Sequence, residues 1–389
     1  MVDQTSRQTT ARIVRVPADG GPPPTRVWGM TGAERLERAL RRAGVPTDSS
    51  GREGTVLLLR DDFIYDEVLI QALLGERAVA LTAADGTAVA AHVPAGGIGV
   101  EEALARGEVE AGLRPIGALA LASSYNKTLR KRAVPYLLRI GTMPAIRIER
   151  RMFDGAYKGV TDFVTKRVWP WPAFHATRLC ARLGISPNLV TALSLIYVLA
   201  AMVLFWRGQF GVGLACAWAM CFLDTVDGKL ARVTLRSTPF GNIFDHGIDL
   251  IHPPFWYWAW YEGLMATGGE DPTLMRLALT LIVMGYVGGR LQEGLFTFLF
   301  GIEIHIWRPL DSWFREITAR RNPNLFILTV SVILGAPGQG FVAVAFWTAI
   351  CFLFHTVRIL QAALAKAMGK APVSWLSEPI AQVSRLLAS

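Results

Sequence analysis

Four aspartates stand inside an apolar stretch: Asp224, Asp227, Asp245 and Asp249, within FLDTVDGKLARVTLRSTPFGNIFDHGID from Phe222. The first two are three residues apart and the last two four apart. On a helix either spacing puts both carboxylates on one face. A turn signal, Ser237-Thr238-Pro239, lies between the pairs. The stretch therefore reads as two antiparallel helices, each offering a carboxylate pair near one membrane surface. An aspartate at a bilayer centre costs about 2.5–3.5 kcal/mol, so four cost on the order of 10 kcal/mol before they repel one another. Divalent cations with a preference for hard oxygen ligands, Mg²⁺, Mn²⁺ or Ca²⁺, are the natural compensation. The plain alternative is four separately solvated loop acids.

The residues between the acids are as particular as the acids themselves. They form the pattern D-x2-D-G-x2-A-R-x8-G-x3-D-x3-D, with Gly228, Ala231, Arg232 and Gly241 at its other fixed positions. This pattern resembles the signature of the CDP-alcohol phosphotransferases at all eight positions. The resemblance runs from about Lys158 to the C-terminus. It implies a six-helix membrane domain. It also implies two divalent cations, Mg²⁺ or Mn²⁺, and transfer of a phospho-alcohol from a CDP-linked donor to a hydroxyl acceptor with release of CMP. A homodimer is expected on the same ground.

By resemblance, Asp224, Asp227 and Asp245 are metal ligands. Asp249 is the general base on the acceptor hydroxyl and also touches a metal. Spacing alone does not separate the four roles. Pro187, Asn188 and Thr191 match a P-N-x-x-T element that lines the CDP pocket in the family, although Asn188 could equally be a helix cap. Gly228 and Ala231 are small enough for nucleotide to approach the helix backbone, and Arg232 suits a donor phosphate. Thr238 and Gly241 complete the donor side, with capping as the alternative role for Ser237 and Thr238. Arg290, Arg320, Arg321 and Arg358 are candidates for a phosphorylated acceptor such as inositol phosphate. His246 and His252 lie close enough to the acids to be considered as ligands. A cation transporter using the same carboxylates is the competing class, but the Gly228–Arg232 spacing has no rationale there.

The 389 residues leave room for a domain in front of the membrane part. At 52% hydrophobic and 18% charged, the chain is too apolar for an ordinary soluble protein. The fold class is accordingly a soluble N-terminal α/β domain followed by an all-α bundle of six spans. The domains read as 1–125, a basic and aromatic connector over 126–185, the membrane domain over 186–370 and a tail over 371–389. Spans are expected at about 189–206, from 211 through Asp227, 240–264, 274–300, 325–334 and 341–364. The fifth is short and could start near Arg321. The net charge of +9 concentrates in 229–236, 308–321 and the end of the chain. The loop with Glu262, Glu270 and Asp271 has no Lys or Arg. Positive-inside logic then puts both termini and the active site on the cytoplasmic side of the inner membrane, so the charge is a topology signal and not a nucleic-acid patch. No apolar leader segment is seen at the N-terminus. The four cysteines show no C-x-x-C spacing and read as small hydrophobes.

In the N-terminal part, strands are expected near 11–16, 55–59, 78–82 and 87–93. Helices are expected over 31–43, with Leu36, Ala39, Leu40 and Ala43 on one face and Gly44 as the stop, and over 66–74. Alternation of strands and helices suggests an α/β layer. Val27-Trp-Gly-Met-Thr, Arg41-Arg-Ala-Gly44 and Leu57-Leu-Leu-Arg-Asp-Asp weakly resemble a sugar-nucleotidyltransferase domain of cytidylyltransferase type. After the first strand, however, the chain reads Pro17-Ala-Asp-Gly-Gly-Pro-Pro-Pro, a loop with no lysine and no G-x-G-x-R. Without amides and a cation to hold a triphosphate, that domain reads as degenerate, and Asp61 and Asp62 as strand-end acids. The connector from Tyr125 to Arg167 is rich in Lys and Arg. Trp169, Trp171, Phe174 and Leu179 beside Arg178 and Arg182 suggest an interfacial helix.

Overall fold

The computed structural model describes residues 9–16, 25–47, 54–95 and 98–377. The expected loop at 17–24 and the end of the tail lie outside the described residues. The N-terminal part begins with β1 (Thr9–Val14), α1 (Gly32–Ala43), β2 (Thr55–Arg60), β3 (Phe63–Tyr65) and α2 (Glu67–Leu74). It continues with β4 (Val79–Thr82), β5 (Ala88–Pro94), α3 (Ile98–Arg106), β6 (Arg114–Gly117) and α4 (Ala118–Leu121). Five strands form one sheet in the order β1-β2-β5-β4-β6. The β1–β2 and β4–β6 pairs are parallel, while β5 runs antiparallel to both of its neighbours.

Local chemistry accounts for the helices. Thr31 caps α1 in a capping box with Glu34, and Gly44 ends it in the left-handed conformation at φ 73°. Asp66 caps α2 through the Val68 amide. Leu36, Leu40, Leu69 and Leu73 bury against the sheet. Both strand-end acids are committed to structure: Asp61 accepts from the Val16 amide, and Asp62 takes a forked bond from Arg60 at 2.9 Å.

The next stretch is woven into this unit. After β7 (Tyr125–Asn126) and β8 (Lys131–Arg132), β9 (Leu137–Arg139) pairs antiparallel with β3. The helices α5 (Ala145–Gly155) and α6 (Pro170–Arg182) follow. Phe174 of α6 is buried, whereas Trp171 and Leu179 are exposed. A mixed cluster joins the two halves of the chain. Val27, Trp28 and Met30 pack with Phe153, Phe174, Val190, Val226 and Leu230. The Trp28 amide donates to Glu149, which also pairs with Arg178 at 2.6 Å.

The helical part comprises α7 (Pro187–Trp206), α8 (Phe210–Val233), α9 (Pro239–Thr267), α10 (Pro272–Phe300), α11 (Pro309–Phe314), α12 (Arg321–Ile333) and α13 (Pro337–Ala367). Among the described residues, four helices are long and apolar enough to cross a membrane: α7, α8, α10 and α13. This differs from the six spans expected. The reason for α12 is length, since its 13 residues fall short of the roughly 20 that a bilayer needs. It does begin at Arg321, the earlier of the two starts considered. The reason for α9 is composition: 29 residues are long enough, but they include Asp245, Asp249, two histidines and Pro253-Pro254. Of the aromatic run in α9, Trp256, Tyr257 and Trp260 are core residues, while Phe255 and Trp258 are exposed.

Close approach of α7 and α9 is set by Gly263. A Cβ there would stand 2.0 Å from the Phe205 carbonyl oxygen, on backbone that cannot swing away. Gly263→Ala is expected to lower bundle stability by about 1–3 kcal/mol, read as a lower midpoint of thermal unfolding in detergent. An unchanged midpoint would show that the two helices separate freely.

Candidate active site

The two aspartate-bearing helices run into one another's carboxylates because a short turn reverses the chain between them. Asp224 and Asp227 project from α8, and Asp245 and Asp249 from α9. Asp224, Asp227 and Asp245 can bring one carboxylate oxygen each within 4.8 Å of the others. Asp249 lies outside this trio. Its carboxylate pairs with Arg321, which also donates to Asp224. So Arg321, considered for the acceptor, sits between two of the acids.

Asp227 carries the clearest sign of a missing partner. It is 3% exposed. Its Oδ2 accepts from the Thr191 hydroxyl at 2.6 Å, and its Oδ1 is buried with no partner. A buried carboxylate oxygen left unpaired beside two further carboxylates is costly. Hard divalent cations fit this all-oxygen donor set.

A cavity of about 670 Å³ opens over the acids. All four aspartates line it, as do Pro187, Asn188, Thr191, Gly228, Ala231, Arg232, Thr238 and Gly241. Helix capping does not explain Asn188, because Ser186 caps α7 through the Leu189 amide. Instead Asn188 faces Gly241, where a Cβ would lie 2.3 Å from its Oδ1. Thr238 does have the capping role, accepting from the Gly241 amide at 3.0 Å. Arg232 has a buried Nε without a partner, as do Arg315 and Arg321.

The arginines divide. Arg290, Arg320 and Arg321 line the cavity and Arg358 does not. Arg358 is buried and grips Asp311 at 2.6 and 2.8 Å, with its guanidinium over the Trp307 ring. Its charge is already neutralised, which removes it from the acceptor candidates. Arg290 and Arg320 share Glu293, which His305 also contacts at 3.2 Å. Of the histidines, His252 is buried, bonded to the Ile248 carbonyl and set against Trp256. His246 is exposed, with its ring 3.8 Å from Asp245.

Several lining residues escape a linear reading. Arg130 and Lys158 of the connector and Arg315, from the basic loop used above only for topology, also face the cavity. Burial pushes the Lys158 amine below its ordinary pKa, with Arg130 and Arg232 adding to the effect. Tyr286 of α10, which does not line this cavity, also escapes such a reading. Pro253 and Pro254 have no N–H, so the carbonyls of Asp249 and Leu250 lose their helical partners. The Tyr286 hydroxyl stands 2.9 Å from the Leu250 carbonyl and 3.4 Å from that of Asp249. The proline pair was visible in the sequence as a signal; its partner was not.

Fold and site together define a membrane-helix protein whose cavity is built around clustered carboxylates and flanking arginines. Residues 184–290 match the family model described as CDP-alcohol phosphatidyltransferase. The phosphatidylinositol phosphate synthase of Streptomyces avermitilis is 30% identical over 129 residues, 32% of this chain and 49% of that protein. The archaetidylinositol phosphate synthase of Pyrococcus horikoshii is 40% identical over 79 residues, 20% of this chain and 42% of that one. Cholinephosphotransferase 1 of Mus musculus is 28% identical over 117 residues, covering 28% and 29%. The chain thus spans half or less of the length of these curated relatives. A crystal structure of Mycobacterium tuberculosis phosphatidylinositol phosphate synthase aligns at a TM-score of 0.38 and 19% identity, over 48% of this chain and 94% of that one.

Proposed function

We propose that this protein is a membrane phosphotransferase that moves a phospho-alcohol from a CDP-linked donor to an acceptor hydroxyl and releases CMP. The carrying observation is the trio Asp224, Asp227 and Asp245 with the unpaired Oδ1 of Asp227, set in a cavity that also holds the rest of the signature. These three residues would hold two divalent cations, which when bound would supply charge neutralisation for a donor pyrophosphate and Lewis-acid polarisation of its phosphorus. Asn188, Thr238 and Gly241 form the donor wall, and Arg232 offers its free guanidinium edge to a donor phosphate. Asp249 takes the proton from the acceptor hydroxyl, whose oxygen bonds to the phosphorus of the alcohol phosphate. The bond from that phosphorus to the bridging oxygen breaks, and CMP leaves with the oxygen.

A phosphorylated polyol is the acceptor that suits the cavity best, since Arg290, Arg315 and Arg320 all line it. In this reading α9 and α12 join the four long helices as spans, with active site and termini on the cytoplasmic face of the inner membrane. The N-terminal domain is a degenerate nucleotidyltransferase that performs no transfer of its own.

The test is CMP release by the purified full chain, supplied in turn with CDP-diacylglycerol or a CDP-polyol, with inositol phosphate and Mg²⁺ or Mn²⁺. Release should require donor, acceptor and cation together and should stop on chelation. Absence of CMP with every donor, cation present, would overturn the reading.

A further inference from the structure

The family match covers none of the first 183 residues, yet the N-terminal domain grips the helix that carries Asp224 and Asp227. The last turn of α8 leaves carbonyls without helical partners. Arg35 of α1, itself buried, donates to the Val233 carbonyl at 2.6 Å, and Arg38 donates to that of Thr234 at 3.1 Å. Two cations from another domain thus satisfy a helix C-terminus and suit its dipole.

The turn that follows is equally dependent. The Arg236 amide bonds back to Ala231 at 3.0 Å and the Leu235 amide to Arg232 at 3.4 Å. In such a closing motif the left-handed residue is usually glycine. Here it is Leu235, at φ 55°. Its side chain is buried in the N-terminal core with Leu36, Phe63 and Ile70. A leucine holds a left-handed conformation only when its surroundings over-determine it, and here those surroundings belong to the other domain. That domain is itself tightly set beneath the contact, since a Cβ on Gly32 of α1 would lie 1.8 Å from the Asp61 carbonyl oxygen.

The gripped segment is part of the cavity wall. Arg232 precedes it, and Ser237, Thr238 and Gly241 follow it, all lining the cavity. We propose that the N-terminal domain is a clamp that sets the α8–α9 turn for donor binding, with Arg35 and Leu235 as its positioning residues. The proposal rests on the transferase reading for the identity of the ligand but not for the existence of the clamp.

Two readouts on the full chain separate these. One is CMP affinity in Mg²⁺ by calorimetry, and the other is hydrogen exchange over 228–242. Leu235→Gly keeps the left-handed turn easy to form while deleting the latch. Arg35→Ala leaves the turn's own sequence untouched. Both should raise exchange across the turn and weaken CMP binding by about tenfold or more, since small misplacements at a distance from the chemistry are costly. Arg35→Lys should restore part of the affinity. Arg114→Ala, which removes only a surface pair with Glu76, should match the unsubstituted protein. Faster exchange with unchanged affinity would overturn the positioning role, and unchanged exchange would overturn the clamp. If the unsubstituted protein binds no CMP, the transferase reading fails. Exchange then still decides the clamp: protection lost in both variants upholds it, and protection retained overturns it.

Discussion

Asp227→Ala should abolish metal-dependent CMP binding and lower CMP release by at least about a hundredfold. The side chain is buried and bonded to Thr191 of α7. Its Oδ2 is held by Thr191 and its Oδ1 is the oxygen left open, so the substitution removes an oriented ligand as well as a charge. Thr191→Val should cost less, about tenfold in metal affinity, because it only loosens the orientation of a ligand that remains. Asp249→Asn should behave differently again. Its carboxylate stands outside the trio and is paired with Arg321, so cation and CMP should still bind while turnover is lost. Calorimetry of CMP with Mn²⁺, together with CMP release under turnover, reads all of this across the three variants. If Asp249→Asn loses binding as completely as Asp227→Ala, Asp249 is a ligand and the assignment of the base is wrong.

Asp311→Ala should destabilise the helical domain by about 3–5 kcal/mol, because it strands a buried guanidinium. The Arg358 and Asp311 side chains are 6% and 1% exposed, and two parallel hydrogen bonds join them. Arg358→Met should be similarly damaging, since it leaves a carboxylate alone in the same place. The double variant Asp311→Leu/Arg358→Met should recover much of the loss, as an apolar pair of suitable size often replaces a buried ion pair at little cost. Thermal unfolding in one detergent of the unsubstituted protein, Asp311→Leu, Arg358→Met and the double variant forms the cycle, with Asp311→Ala measured beside it. The folded fraction of each should keep its KM for a phosphorylated acceptor. A raised KM in Arg358→Met without loss of stability would return this arginine to the acceptor site.

Much of the secondary structure was legible because it is written in near neighbours. Thr31 with Glu34, Gly44 and the Leu36/Ala39/Leu40 face specify α1 within a dozen residues. Asp66 opens α2 in the same way. The spacings of three and four in the acidic stretch place carboxylates on helix faces before any fold is known. The short strand β9 was not legible, since three residues carry no period and its partner β3 lies more than seventy positions earlier. Of the six spans expected, four are helices long and apolar enough to cross a membrane among the described residues. Hydropathy weighs a segment by composition, and α9 mixes membrane length with site chemistry and two prolines.

The sequence by itself determined the motif, the helices that carry it and the apolar character of the C-terminal part, because each rests on interactions within a few turns of chain. Only the tertiary structure decided what surrounds the motif. It set Arg321 between Asp224 and Asp249, brought Lys158 and Arg130 to the same cavity, and buried Leu235 in the N-terminal core. It also turned Arg358 away to Asp311. These are contacts between residues tens to hundreds of positions apart. They are chosen by how helices and sheet pack, and although a packed face leaves a period along the chain, the identity of its partner leaves none.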